Sequence, residues 1–453
     1  MNENKFLREL KTLIYYVREY GIRHIDFDIS DRSLAFKDSE QADAFYYHCH
    51  QGFFAAQDRV ICLLRKLLLE QKRLKTALKD ARRERQKEEE SKVGLAIQKA
   101  RFQEHVLRKL MDAIAWQLFN YDLSTMRRLY CGEPAVDITN SNLESELSFI
   151  KYYKEAHPSG FSLISDLTSF IQIGDVVTID KDSGVCVAEL KEGSVNKQVF
   201  GIIEEVSKTK CPNHLYRELE GKDENFLKQF KRVIRQMGRT DQVFETITTG
   251  HGTDLCSGQE VRIVQGEVSQ STYFDTLHDL AKNCHKKGYA FSVVEECLLI
   301  GVYDTEKFPS HAFDVWSNMR KIKTPVYDMR ASFCDPLSFP IFLHGFSVPF
   351  ILDLISGRKV IKMSIDFEKW LTTFEKDGCK INWLSKKQTS KINAMMKGAN
   401  RVFDINGQGV EIERDGMKQV IGRGIFSRLY TSFLTPSSIK NLLLTMLASP
   451  LSE

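Results

Sequence analysis

No proline occurs before Pro134, and that absence limits the chain's possible folds more than any other single feature. Proline breaks a helix interior by removing an N–H and colliding with the preceding turn. A proline-free opening of this length therefore suits long helices. Phe6 to Glu19 carries apolar residues at helical spacing, and Gln41 to about Phe119 reads as helix nearly throughout. Val60, Leu64, Leu67, Leu74, Leu78 and Ala81 fall close to a heptad seam. Arg82 to Lys92 is charged all round, the pattern of a solvated helix face. Apolar spacing resumes at Leu95, Ile97, Val106, Leu110 and Ile114. Two shapes satisfy this pattern: one helix of ~60 residues, ~90 Å long, or an antiparallel hairpin turning near Ser91 to Gly94. Before it, His24 to Phe36 alternates like a short hairpin.

The chain has 453 residues, 42% hydrophobic and 27% charged. At ~150 residues per domain this implies about three domains, and it excludes wholesale disorder. Lys plus Arg number 64 against 60 acids, a net charge of +4. A basic surface must therefore come from clustering. The first residues lack the apolar core of a secretory signal, and no apolar run reaches the ~18 residues of a membrane helix. The ten cysteines are scattered without a CxxC pair, which fits a reducing cytoplasm better than a disulfide framework.

From Pro134 the texture changes. Ser141 to Ala156 predicts a helix with a Ser or Asn cap and an acidic first turn. Strand-like runs follow at Phe161 to Ile164, Phe170 to Ile179 and Val185 to Lys191. Asp223 to Thr246 and Phe274 to His285 read as helices, and Glu260 to Val264, Tyr289 to Val294 and Cys297 to Val302 as strands. This order gives an α/β or α+β core. Beyond about Phe308 the pattern is mixed, with turns at Asn406 to Gly409 and Asp415-Gly416. The expected regions are 1–133, helical and coiled-coil-like; 134–305, the α/β core; and 306–453, mixed α/β.

One segment concentrates chemistry: Ile173 to Lys191, two β-rich runs around the turn-former Asp180-Lys-Asp-Ser-Gly184. If those five residues form the loop, Ile179 pairs with Val185, and Asp175 comes opposite Glu189 on one face, with Lys191 beside it. Opposed like charges destabilise a sheet. The second strand is apolar on both faces, as a buried central strand would be. Two buried carboxylates there need a cation or a shifted pKa. Mg²⁺ suits them, since it takes carboxylate oxygens and keeps several waters. It can polarise a phosphate and activate water, while a nearby lysine offsets developing charge.

Asp175, fourteen positions before Glu189-Leu190-Lys191 on a hairpin with a helix on either side, resembles the PD-(D/E)XK nuclease superfamily over roughly Ser141 to Tyr303. The resemblance implies a restriction endonuclease-like core and a Mg²⁺-dependent endonuclease, with Mn²⁺ able to substitute. It further implies that the substrate is nucleic acid, DNA foremost, and that the setting is prokaryotic phage restriction. It makes Asp175 and Glu189 metal ligands and Lys191 the catalytic lysine. It adds an acid from the preceding helix, Glu146 in preference to Glu144, and a polar residue from the following one. Gln229, Arg232, Arg235 and Gln236 are available for that place, and Gln236 is chosen. Gly174 stands where proline is common in the family. The competing reading is an ordinary hairpin in which Asp175 caps the strand start and Glu189 pairs with Lys191 at the surface.

The helix after the motif carries Lys228, Lys231, Arg232, Arg235 and Arg239, a basic face able to position phosphates without reading sequence. A second basic stretch, Lys386 to Arg401, lies near Trp383. His48-Cys49-His50, Cys211 to His214 and Cys284-His285 each lack a second half at zinc spacing. No Walker A, GxSxG or HExxH motif occurs. The sequence therefore points to a metal-dependent nuclease, with dimerisation through the N-terminal helices as a route to cutting two strands. The alternative is a non-catalytic coiled-coil scaffold or nucleic-acid-binding protein with a degenerate nuclease fold.

Overall fold

The computed structural model describes residues 1–25, 36, 38–140, 142–181, 184–190, 194–209, 212–255, 258–263, 270–396 and 401–448. Along the chain come α1 (Glu3–Arg18), α2 (Tyr20–Arg23), α3 (Ser39–Arg83), α4 (Lys87–Leu118), α5 (Leu123–Leu129) and α6 (Leu143–Ala156). Next are β1 (Phe161–Ile164), β2 (Val176–Asp180), β3 (Gly184–Ala188), α7 (Ser194–Thr209), α8 (Pro212–Leu219), α9 (Glu224–Thr249), β4 (His251–Thr253) and β5 (Glu260–Arg262). The sequence then builds α10 (Phe274–Lys287), β6 (Tyr289–Val294), β7 (Leu298–Asp304), α11 (Ala312–Met319), β8 (Tyr327–Asp328), α12 (Val348–Ser356), β9 (Lys359–Ile365), α13 (Phe367–Lys376) and β10 (Lys380–Trp383). It closes with α14 (Lys386–Met395), β11 (Asp404–Ile405), β12 (Gln408–Arg414), β13 (Met417–Val420), α15 (Arg423–Thr431) and α16 (Pro436–Ala448). The fold is mixed α/β, with small antiparallel sheets behind a long helical N-terminal region. Among the described residues, no helix is long and apolar enough to cross a membrane.

Two compact units share the chain. One comprises residues 1–23, 62–114 and 264–453, the other residues 24–61 and 115–263. Neither is continuous, and α3 and α4 contribute to both. In the first unit, α3 and α4 form a hairpin, tied by Gln71 Nε2 donating to Glu104 at 2.8 Å and by an Arg82–Glu90 ion pair at 2.8 Å. The turn falls at Glu84 to Gln86, not at Ser91 to Gly94. Arg85 takes φ 55°, Gln86 N–H reaches Ala81 O at 2.9 Å, and Arg85 N–H reaches Arg82 O at 3.2 Å. This is a Schellman closure with arginine in the left-handed position that glycine usually fills. Gly94 instead lies inside α4. The alternating segment between His24 and Phe36 falls mostly outside the described residues.

Also in the first unit, β6, β7, β9 and β8 form one sheet in that order, with Tyr289↔Tyr303 and Tyr303↔Val360 in register. Every residue of β7 is buried. The buried Lys109 Nζ pairs with Asp112 at 3.0 Å and donates to the carbonyls of Asp335 and Pro336 at 2.6 and 3.1 Å. The charge is thus matched by one carboxylate and two carbonyl oxygens, as a cation held 1% exposed requires.

The second unit is built around β1-β2-β3, an antiparallel meander with α6 before it and α7 after it. Phe53 and Phe54 of α3 pack on Phe161 of β1. The outer edge of β1 is closed by a side chain: Gln57 Nε2 donates to Ser162 O, and its Oε1 accepts from Ile164 N, both at 3.0 Å. One amide thus replaces the hydrogen bonds of a neighbouring strand, as buried backbone groups demand. Further along the chain, Val199 and Ile202 of α7 join Phe226, Phe230 and Val233 of α9 in a second core. Helices α7 and α8 occupy a stretch in which no element was expected. The expected Phe170 to Ile179 strand shortens to Val176–Asp180.

Candidate functional site

Strands β2 and β3 pair in the expected register, with Ile179↔Val185, Val177↔Val187 and Val176↔Ala188. The pairing ends at Val176↔Ala188, and Asp175, just before it, donates its N–H to Ala188 O at 2.8 Å. Gly174 makes that entry possible. It has φ +76°, and a Cβ there would fall 2.2 Å from Val187 Cγ1. Proline, confined to φ near −65°, could not take this conformation.

The burial of β3 corrects the sequence reading. It is not a buried central strand: among the described residues it pairs only with β2, Cys186 is exposed, and Val185 and Val187 are half-buried. Its Val-Cys-Val run reflects the pleated-strand preference of β-branched residues at an edge. Asp175 and Glu189 are themselves half-buried. Asp175 Oδ2 also accepts the Leu190 N–H at 2.6 Å, holding the chain as it leaves β3.

Glu146 completes the group from α6. Leu143, Glu146, Ile150 and Tyr153 are all buried, a stripe at helical spacing in which a carboxylate occupies an apolar position. Tyr153 fixes the far end of the helix by donating its hydroxyl to Asp180 Oδ2 at 2.8 Å. Two helical turns earlier, the same buried face carries Glu146. Glu146 is 3% exposed, and its Oε2 has no hydrogen-bond partner. Burial pushes its carboxyl up to about 8, and the charges of Asp166 and Asp175 push in the same direction. Glu144, the other acid of that turn, is exposed.

Asp166 was not foreseen. It lies half-buried on the turn Ser165–Leu167 just after β1. The turn is anchored to the site by Ser165 N–H donating to Asp175 O at 2.9 Å. A lone aspartate before Leu-Thr-Ser carries no spacing signal. The sequence clue was an acid just past a short apolar strand.

The other expected residues divide. Lys191 lies outside the described residues. Gln236 is half-buried on α9, where its backbone carbonyl accepts from Thr240 Oγ1 at 3.1 Å. Lys228, Lys231, Arg232, Arg235 and Arg239 are all exposed, on the side of α9 away from Phe226, Phe230 and Val233. Lys228 pairs with Glu224 at 2.8 Å.

The residues expected to hold a metal are all carboxylates, and among them Glu146 keeps one buried oxygen without a hydrogen-bond partner. Mg²⁺ accepts such oxygens and fills its remaining positions with water. A different group, Glu205, His214 and Glu218, brings its ligand atoms within 4.8 Å of one another. It lies at the surface, and His214 already meets Glu205 Oε2 at 3.3 Å. Of the histidine–cysteine clusters, His50 is structural, with Nδ1 at 2.7 Å from Ser159 O, and Cys211 lies outside the described residues.

Compared with known proteins, the chain matches no family model, no curated protein and no solved structure.

Proposed function

We propose that this chain is a metal-dependent nuclease whose centre is Glu146, Asp175 and Glu189, with Lys191 as the catalytic lysine that the resemblance implies. The observation that carries this reading is Glu146, a buried carboxylate with an unpartnered oxygen in a position that an apolar residue would otherwise take. An unpaired buried carboxylate costs several kcal/mol, so a fold that keeps one has a use for it. When bound, Mg²⁺ supplies polarisation of a phosphate oxygen and a more acidic water. Asp175 and Glu189 orient the donors from two paired strands, a rigid base for chemistry. The exposed cations of α9 give the substrate's phosphates a sequence-independent landing face. DNA is the favoured substrate and phage restriction the favoured setting, both on the strength of the resemblance.

One observation favours the scaffold reading: Asp175 Oδ2 is engaged by Leu190 N–H, the role of a strand-end cap. A cleavage assay separates the two. Plasmid, linear duplex, single-stranded DNA and RNA are incubated with Mg²⁺, Mn²⁺ or EDTA, beside Glu189→Ala and Lys191→Ala. The nuclease reading expects metal-dependent cutting that both substitutions abolish. Cutting that survives in both, or no cutting with any substrate and metal, favours the scaffold.

A further inference from the structure

The seam between α7 and α8 brings an imidazole and two carboxylates together. On α8, Leu215 and Leu219 both pack against the core shared with α7 and α9. They lie one helical turn apart, so a single face of α8 is fixed against that core. His214 and Glu218 each precede one of these leucines, and they form a second i, i+4 pair on the adjoining stripe. On α7, Val206 packs against the same core, and Glu205 precedes it. Glu204, the next residue out, is held by Lys208 at 2.6 Å. The packing of the leucines and the valine thus sets the backbones from which His214, Glu218 and Glu205 project.

One ligand atom from each of the three side chains lies within 4.8 Å of the other two. His214 Nε2 and Glu205 Oε2 are 3.3 Å apart. That is longer than the ~2.9–3.0 Å usual for an N–H···O hydrogen bond. It matches a tetrahedral edge, because two ligands about 2.1 Å from one zinc ion stand ~3.4 Å from each other. The His214 and Glu205 side chains are 30% and 62% exposed, so an ion reaches them without opening the fold. The imidazole decides which ion fits. Mg²⁺ takes oxygen ligands, whereas zinc takes nitrogen and oxygen together and accepts three protein ligands with water in the fourth place. A search for paired cysteines and histidines passes over this group, because the partners of His214 are carboxylates, one of them on another helix.

We propose that Glu205, His214 and Glu218 bind a zinc-class divalent cation, with water completing its coordination, and that this ion clasps α8 to α7. The site shares no residue with the proposed nuclease centre and does not depend on that reading.

The test is a titration of the full chain with CoCl₂, followed by displacement with ZnCl₂, for the wild type, His214→Ala, Glu205→Gln and Glu218→Gln. Cobalt has zinc's taste in ligands and reports its surroundings: four- or five-coordinate Co²⁺ absorbs visible light far more strongly than the hydrated ion, and cysteine ligation adds a sulfur-to-cobalt charge-transfer band. The wild type is expected to develop the visible band with one equivalent of Co²⁺, without the charge-transfer band, and to lose it to Zn²⁺. His214→Ala is expected to lack the band. Each glutamine variant is expected to bind Co²⁺ at least ~10-fold more weakly, since even changes outside the ligand set of a metal site cost that much. Zn²⁺ is expected to raise the Tm of the wild type more than that of His214→Ala.

A visible band of wild-type strength and affinity in His214→Ala would overturn the assignment, as would its absence from the wild type. A charge-transfer band would also overturn it, by placing the ion on cysteine. If His214→Ala does not fold, Glu205→Gln, on the most exposed of the three side chains, carries the test: weakened binding supports the site and unchanged binding overturns it. Failure of the nuclease reading would appear elsewhere, as intact nucleic acid in the cleavage assay, and would leave the cobalt spectrum unchanged.

Discussion

Gly174 determines how Asp175 enters β2. Its φ of +76° and the 2.2 Å approach of a hypothetical Cβ to Val187 leave no room for a side chain. Gly174→Ala should cost roughly 2–3 kcal/mol, part from left-handed backbone strain and part from overpacking. Urea unfolding would measure it, and a change under 0.5 kcal/mol or so would contradict this account. His344 supplies a second residue-scale prediction. It sits among the rings of Phe274, Phe339, Phe346 and Phe433, with neither ring nitrogen partnered. Burial lowers its pKa to about 3, assisted by His278. The folded protein thus holds fewer protons on this ring than the unfolded chain. The neutral ring's contribution is fully present above about pH 6.5 and is lost as pH falls toward 3, each unit of displacement being worth about 1.4 kcal/mol. His344→Leu should flatten the decline in stability between about pH 6.5 and 5; parallel profiles for the two proteins would refute it. At this scale the sequence was most informative where residues act through spacing. The Ile179↔Val185 register followed from the turn-former between Asp180 and Gly184, although those two residues are themselves paired. Asp166 did not, because its place depends on a turn anchored by backbone bonds across the sheet.

At the scale of elements, the α3–α4 hairpin shows how a turn can hide. Its sharp reversal uses Arg85 at φ 55°, where any residue with a Cβ is strained by about 1 kcal/mol. Arg85→Gly should therefore stabilise the protein by ~0.5–1 kcal/mol, read as a raised denaturation midpoint. A lowered midpoint would show that Arg85 makes a contribution beyond the turn. The same substitution explains the misplacement: the glycine at position 94 drew the expected turn into what is an unbroken helix. Helix α7 escaped notice for a related reason. Val195, Val199, Ile202, Ile203 and Val206 are β-branched, weak helix formers, so their helical spacing carried a strand-like composition. In α6 the signal was available and was partly read. Glu146 was preferred over Glu144, and the structure buries Glu146 while leaving Glu144 at the surface.

At the scale of the molecule, the two units interleave along the chain. A fragment of residues 134–305 would contain the whole β2–β3 hairpin and α9, yet it would lack Gln57, Phe53 and Phe54 against β1, and would strand β6 and β7 without β9. Such a fragment is expected to show no cooperative urea transition and weak near-ultraviolet dichroism. A sharp two-state transition would show that the region folds unaided. No local pattern announces this interleaving. Contacts between residues 62–114 and the chain beyond 264 join segments that each look complete, and only packing reveals their partners.

Gln57 has one more consequence, in time rather than in space. It lies 105 residues ahead of Ser162, the strand residue whose carbonyl it serves. At a synthesis rate of roughly 5–20 residues per second, α3 leaves the ribosome about 5–20 s before β1 exists. During that interval Phe53 and Phe54 have nothing to cover. The newborn chain therefore makes the lid before the vessel, and its early life depends on how well the Phe53 and Phe54 end of α3 is kept from other apolar surfaces.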